Sequence, residues 1–434
     1  MSPIIEGRFW ILKSWFLVVT AALLFSCSPA VWFFRPLDLP PAYQLKSEQP
    51  FADTAPLQVP ADPGERSHGA KLTPRLFGSV LLFISSKLSL HPYLPATIGG
   101  CLFLLAGVVV GYRVTGDRQT AVGIALLMAG LYSVNACFSM NFAPKPFDGV
   151  AIGMVALTMM LMDRPWLFLL AAWLACWCDE RAIVSLGLVG VMVMLLSDLD
   201  VKSRQARCGF LVGAIVAYVC SRKIASTLCG WTSPDMSMLG DNLLATSSFA
   251  QLAAWTCFEG GWIPILLAIW VSWKRGMSIV GGVLAIAALG AVMTCLVVLD
   301  ISRAAAFAFP LIFAAFAFLA GQTNEEESES AAQEADSKSP RVAKSPELRR
   351  EKSTKRRTAR SSSRDSEPQP TSSTKAKNDH KISVENSNPI CQVAWLGAAV
   401  SLIASNFEVI AWTIVQPLPS TPISVISLWF GGGN

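Results

Sequence analysis

The chain alternates long apolar runs with short polar interruptions, and the first informative quantity is the length of each run. A bilayer's hydrocarbon core needs about 20 consecutive apolar residues in a helix. Runs that approach or reach that length begin early and recur almost to the C-terminus. The pattern predicts helices at Trp15–Phe34, Leu94–Gly111, Ala121–Phe138, Gly149–Met162, Trp166–Cys178, Ala182–Leu196, Gly209–Val219, Trp262–Trp273, Ile279–Leu299, Ala304–Ala320 and Val393–Val415. A twelfth stretch, Leu76–Leu90, is amphipathic and carries Lys87, so it is expected to lie in the membrane interface. Asp163 followed by Pro165 reads as a helix start, and Pro310 should distort the helix that contains it. The expected fold is therefore all-α: a polytopic bundle of about 11 spans, an extracytoplasmic loop over 35–75 and one interfacial helix.

Composition sharpens this picture. Of 434 residues, 53% are hydrophobic and 15% are charged, whereas soluble domains carry about a quarter charged residues. Much of the charge is confined to Thr323–Pro389, which opens acidic ("NEEESES") and turns basic ("LRREKSTKRRTARSSSR"). Such a segment has too few apolar side chains to offset its chain entropy, so 323–389 is expected to be disordered and cytoplasmic. It divides a membrane core, 1–322, from a last helix and tail, 390–434. The net charge of +5 lies mainly in loops and in this block, so it says little about nucleic acid; the basic half of the block suits anionic lipid headgroups.

Orientation follows from the short loops. With the N-terminus in the cytosol and Trp15–Phe34 an uncleaved first helix, Arg113, Arg118, Arg164, Lys202, Arg204, Arg207, Lys274 and Arg275 all fall inside. The expected location is the inner (cytoplasmic) membrane. Eleven cysteines are scattered through apolar stretches, and the three histidines, His68, His91 and His380, form no zinc-like cluster with them.

The same topology sends a second set of charges to the outer side. Asp179, Glu180 and Arg181 interrupt "WLACWCDERAIVSLGLV" at the turn between two helices. The preceding helix of 13 residues rises about 20 Å against a core of about 30 Å, so the turn is expected in a polar recess below the surface. Lys145 and Asp148 ("APKPFDG"), Asp300 and Arg303 ("DISRAAAFAFP"), Glu259 ("CFEGGW") and the first-loop residues Asp38, His68, Lys71 and Arg75 join them. Carboxylates interleaved with guanidiniums suit general-base chemistry and phosphate binding. Each has a plainer reading: an i,i+3 pair for Asp300 and Arg303, a helix cap for Asp148, a solvated loop charge for Lys145, a polar hairpin turn for Asp179–Arg181, and for Glu259 beside Gly260–Gly261 a loop carboxylate in place of a re-entrant turn. Glu408 is expected inside the last helix, as a local polar spot beside Asn406.

One helix, a long extracytoplasmic loop with an acidic residue, many short helices and a late "DISRAAAFAFP" together resemble the GT-C class of integral-membrane glycosyltransferases, over about residues 10–320. The resemblance implies a sugar donor linked to a polyprenyl phosphate and an extracytoplasmic active site. It implies a first-loop carboxylate as base, here Asp38, with Arg181 and Arg303 holding the lipid phosphate. Arg75, Lys145, Asp148, Asp179, Glu180 and Asp300 would shape the substrate site. No cofactor is expected, although a divalent metal stays open, and the partners are the lipid-linked donor and membrane lipids. Two other readings fit the same pattern: a transporter or flippase, and a non-enzymatic membrane protein whose disordered loop recruits partners.

Overall fold

The computed structural model describes residues 75–88, 94–131, 133–134, 137, 147–229, 247–297, 301–323, 388–403, 408–410 and 413–415. Helices dominate: α1 (Leu76–Lys87), α2 (Leu94–Thr115), α3 (Arg118–Gly130), α4 (Phe147–Met160), α5 (Pro165–Cys178), α6 (Ala182–Leu195) and α7 (Val201–Cys229). They continue as α8 (Ala250–Phe258), α9 (Trp262–Lys274), α10 (Ser278–Leu296), α11 (Ile301–Ala305), α12 (310–323) and α13 (Pro389–Ile403). Five stretches are long and apolar enough to cross a membrane: Leu94–Thr115, Val201–Leu228, Ala250–Lys274, Ser278–Leu296 and Arg303–Thr323. Phe147–Met160, Pro165–Cys178, Ala182–Leu195 and Pro389–Leu402 are shorter apolar helices. At 12 residues, α1 is too short to cross. The predicted helix Trp15–Phe34, the first loop up to Pro74 and nearly all of the polar block lie outside the described residues.

Arg303–Thr323 forms the centre, with 94% of its apolar window buried. Its alanines let neighbouring backbones approach, and Phe307, Phe309, Phe313 and Phe316 fill the gaps they leave. Pro310 lacks an amide hydrogen and crowds the preceding turn, which tightens into a 3₁₀ turn at Ala306–Ala308. The outer helices behave in the opposite way. Val212, Val216 and Ile224 on α7, and Ile279, Ile286 and Leu289 on α10, point out of the protein. That is the expected arrangement where the surrounding solvent is hydrocarbon, because no hydrophobic gain comes from turning these side chains inward. Trp166, Trp270 and Trp273 are also exposed and lie beside Arg164, Lys274 and Arg275, as at a headgroup boundary.

Small residues set the closest crossings. A Cβ on Gly153 would lie 2.3 Å from the Gly99 Cα, and one on Gly99 would lie 2.3 Å from the Gly149 carbonyl oxygen. The Gly149-x-x-x-Gly153 face of α4 therefore meets α2 backbone to backbone.

Several boundaries differ from the sequence expectation. The span Gly209–Val219 is the middle of a 29-residue helix, α7. Asp200 bonds Ser203 at its start, and the helix-forming run Lys202–Arg207 joins the apolar stretch instead of staying a loop. Asp163 does not cap α5: Arg164 stands at the cap without a side-chain bond, Pro165 occupies the first turn, and Asp163 pairs with Arg113. The stretch Ala121–Phe138 is not one helix, since α3 stops at Gly130 and Leu131 is extended. Val393–Val415 is not one helix either. α13 ends at Ile403, and Glu408–Ile410 pairs antiparallel with Thr413–Val415. Both strands are rich in β-branched residues, which favour that geometry. The helix Ala250–Phe258 was missed, and with it the fact that Glu259 lies in a break within a span and not in a loop.

Candidate functional site

Of the outer-side charges expected from the sequence, Arg75, Asp148, Asp179, Glu180, Arg181 and Arg303 meet at one end of the bundle, whereas Glu259 lies in the break within the span Ala250–Lys274 and its Oε1 accepts the Ser133 amide. Arg75 immediately precedes α1, Asp148 lies in the first turn of α4, Asp179–Arg181 form the α5–α6 turn, and Arg303 lies on α11. Asp148 and Asp179 are fully buried. Their position follows from local chemistry. An acidic residue in a first helical turn faces the positive end of the helix dipole, which favours Asp148 where it stands. Asp179 is extended, and its Oδ1 accepts the Arg181 amide at 2.9 Å, the self-closing turn for which Asp is suited. Its own carbonyl accepts the Ala182 amide at 3.0 Å, so one residue ends α5 and starts α6.

The three guanidiniums divide the two buried carboxylates between them. Arg181 donates from Nε to Asp179 Oδ1 at 2.9 Å and from Nη2 to Asp179 Oδ2 at 2.7 Å. The same Nη2 reaches Asp148 Oδ1 at 2.6 Å. Arg75 Nη1 lies 2.8 Å from Asp179 Oδ2 and 3.7 Å from Asp148 Oδ1. Arg75 also forks onto Glu180, with Nε to Oε2 at 3.3 Å and Nη2 to Oε1 at 3.2 Å. Arg303 Nε donates to Asp148 Oδ2. The ring of Phe307 lies 5.0 Å from the centre of the Arg181 guanidinium and covers its face. A guanidinium presents five donors in a rigid planar fork that matches carboxylate geometry bidentately while still reaching a second acceptor, a fixed arrangement that lysine's compact, rotatable ammonium does not supply.

Electrostatics keep the knot ionised. Burial works to raise the Asp179 carboxyl, but Arg181 and Arg75 outweigh it and hold the group well below its ordinary range. Burial likewise opposes the Arg75 charge, and Asp179 and Glu180 more than restore it. Glu180 is the most open member, with its side chain 38% exposed, and it lies 4.0 Å from Arg222 Nη1. Among the described residues, four guanidiniums and three carboxylates therefore meet at this end of the bundle.

Arg222 and Tyr218 were not singled out from the sequence. Arg222 Nη1 donates to the Tyr218 hydroxyl at 2.5 Å, and Tyr218 meets Trp177 edge-on at a ring separation of 5.3 Å. The signal was present: Tyr218 and Arg222 are four residues apart, the spacing of neighbours on a helix face. It was hidden because the helix was expected to end at Val219. Asp38, Lys145 and Asp300 lie outside the described residues, as do His68 and Lys71. The i,i+3 pairing of Asp300 with Arg303 is therefore not described, whereas the pairing of Arg303 with Asp148 is. Among the described residues no group of three or more His, Cys, Asp or Glu is arranged to hold a metal ion.

A second ionic cluster closes the opposite ends of the same helices. Arg113 at the end of α2 pairs with Asp163 at 2.8 Å and with Asp198 at 3.3 Å, and Arg207 of α7 lies 3.5 Å from Asp163. Asp163 and Asp198 are 66% and 45% exposed. Comparison with known protein families, curated proteins and solved structures finds no match for this chain.

Proposed function

We propose that the Arg75–Asp148–Asp179–Glu180–Arg181–Arg303 cluster binds the phosphate of a lipid-linked sugar, and that the chain transfers the sugar to an acceptor on the extracytoplasmic side of the inner membrane. The observation that carries this reading is the convergence of three arginines from remote segments on a fully buried aspartate pair, open at Glu180. In the proposed topology the chain crosses eleven times from a cytoplasmic N-terminus, and α1 lies in the outer interface. The exposed tryptophans beside Arg164, Lys274 and Arg275 support placing that other end at the cytosolic boundary.

In the proposed reaction the acceptor hydroxyl gives its proton to the Asp38 carboxylate as its oxygen attacks the anomeric carbon. The bond from that carbon to the phosphate oxygen breaks, and the electron pair leaves with the lipid phosphate. Arg181, Arg303 and Arg75 stabilise the charge that develops there, while Asp148 and Asp179 fix the arginine forks in place. Lys145 and Asp300 belong to the same substrate-binding set, and no metal is assigned a step.

Sugar transfer in membranes supplied with a radiolabelled polyprenyl-phosphate sugar tests the reading. Asp38→Asn is expected to reduce transfer to background at normal expression, and unaltered transfer removes Asp38 from the mechanism. A transporter is the second reading, favoured by one observation, the break inside the span Ala250–Lys274 at Glu259–Gly261. Uptake of a solute by proteoliposomes containing the pure protein, without any sugar transfer, would establish it instead.

A further inference from the structure

Cys257 on α8 and Cys295 on α10 meet inside the bundle, 2% and 0% exposed, with their sulfurs 3.2 Å apart. The Cys295 thiol donates to the Ala291 carbonyl at 3.2 Å, which leaves its sulfur to accept the hydrogen of Cys257. Ala291 and Cys295 are one turn apart within α10, so the same carbonyl accepts the helical amide and loses little if the thiol hydrogen is removed. Among the described residues no other two thiols are in contact. Cys137, Cys208 and Cys391 turn to oxygen acceptors instead.

A single buried cysteine is an apolar filler. Two features set this pair apart. The first is geometry: a disulfide bond is about 2.0 Å long, so the sulfurs have about 1 Å to close, a gap that side-chain rotation covers, and α8 already packs on α10. The second is place. α8, α10 and α11 pack on one another, and α11 carries Arg303 of the arginine cluster. Cys295 stands one residue before the end of α10, and Cys257 lies about 10 Å into the span Ala250–Lys274. In the orientation proposed above, both belong to the extracytoplasmic half of the bundle, on the side where disulfides form and persist.

We propose that Cys257 and Cys295, described here as a dithiol, are a disulfide-forming pair whose bond clamps α8 to α10 beside the helix that presents Arg303. The oxidant is the disulfide of an extracytoplasmic thiol–disulfide carrier, and the exchange takes place during insertion, before the pair is covered. One cysteine thiolate attacks a carrier sulfur and releases the other carrier sulfur as a thiolate, which leaves a mixed disulfide. The second cysteine thiolate then attacks the first cysteine's sulfur, forms the Cys257–Cys295 bond and releases the remaining carrier thiolate. The two protons and two electrons lost by the chain leave with the carrier as its two thiols. The bond closes a loop of 38 residues that holds all of α9, so it also restrains the unfolded chain. The inference rests on the proposed orientation and not on sugar transfer.

Peptide mass mapping of the wild-type full chain tests it. Expressing cells are lysed directly into denaturant with excess N-ethylmaleimide, which caps every thiol free at that moment before air can oxidise it. Digestion without reductant is expected to give the peptides carrying Cys257 and Cys295 linked, two hydrogens lighter than their sum, and after reduction both are expected to take up maleimide. In Cys257→Ser, Cys295 is expected to be capped without any reductant. Capping of both cysteines in unreduced wild type overturns the inference, and so does a linkage that appears only when maleimide is left out at lysis. Labelling of Glu180→Cys from outside intact cells then separates the causes. Free thiols with position 180 labelled overturn the disulfide and leave the orientation standing, whereas free thiols with position 180 protected overturn both.

Discussion

The two ionic clusters are built on the same three helices, yet they are different objects. α4, α5 and α6 each have 14 residues, about 21 Å, with Asp148, Asp179 and Arg181 at one set of ends and Asp163 and Asp198 at the other. At the first end the aspartates are fully buried and each serves more than one guanidinium. At the second end the aspartates are 66% and 45% exposed and, among the described residues, tie to Arg113 and Arg207. Exposed pairs of the second kind contribute between nothing and about 1 kcal/mol each. Buried pairs of the first kind incur several kcal/mol of desolvation per ion, and stability alone is a weak reason to keep them. The contrast teaches that charge at a helix end is not one phenomenon. The exposed cluster has the character of a boundary marker, whereas the buried one needs a reason other than stability, which the proposed phosphate binding would supply.

The largest expected effect comes from breaking the buried cluster. Asp148→Ala leaves Arg181 and Arg303 without their shared acceptor, and is expected to destabilise by about 3–5 kcal/mol. Thermal unfolding in detergent reads this as a fall in Tm or as lost expression of folded protein. Next comes Gly153→Val, which forces α2 and α4 apart and is expected to cost about 1–3 kcal/mol by overpacking in the same assay.

The pH dependence comes third and has a definite sign. Asp179 is held below its ordinary value of 3.8, so its ionic contribution is present above that pH and is lost only as pH falls through its lowered folded value. The Tm difference between wild type and Asp179→Asn is therefore expected to be constant from neutral pH to about 4 and to shrink at more acidic pH. Asp163→Ala is the smallest, expected within about 1 kcal/mol of wild type, and sharpens the comparison if Asp148→Ala is measured beside it.

The sequence announced the buried cluster through its oddity, three charges in a row inside "WCDERA", because hydrocarbon makes such residues conspicuous. It also announced Asp148 and Arg303 by their place at the starts of apolar helices. Arg222 was less visible, since apolar length alone cannot say whether Lys202–Arg207 begins a helix or ends a loop, and that choice sets where α7 stops. Glu259 was misplaced for a related reason. A break of three residues inside a span looks, in one dimension, like a loop between two spans. Nothing in "IASNFEVIAWTIV" breaks the apolar pattern enough to part α13 from the strand pair that follows it.

Side mapping tests the central claim most directly, because the two clusters must open to opposite faces of one membrane. Glu180→Cys and Asp198→Cys, each at a partly exposed position in a chain with its native cysteines replaced, are treated with a membrane-impermeant maleimide in intact cells and again after permeabilisation. The account predicts that the cysteine at 180 is labelled in intact cells and the cysteine at 198 only once the membrane is opened. Labelling of both from the same side, or of 198 alone in intact cells, would contradict it.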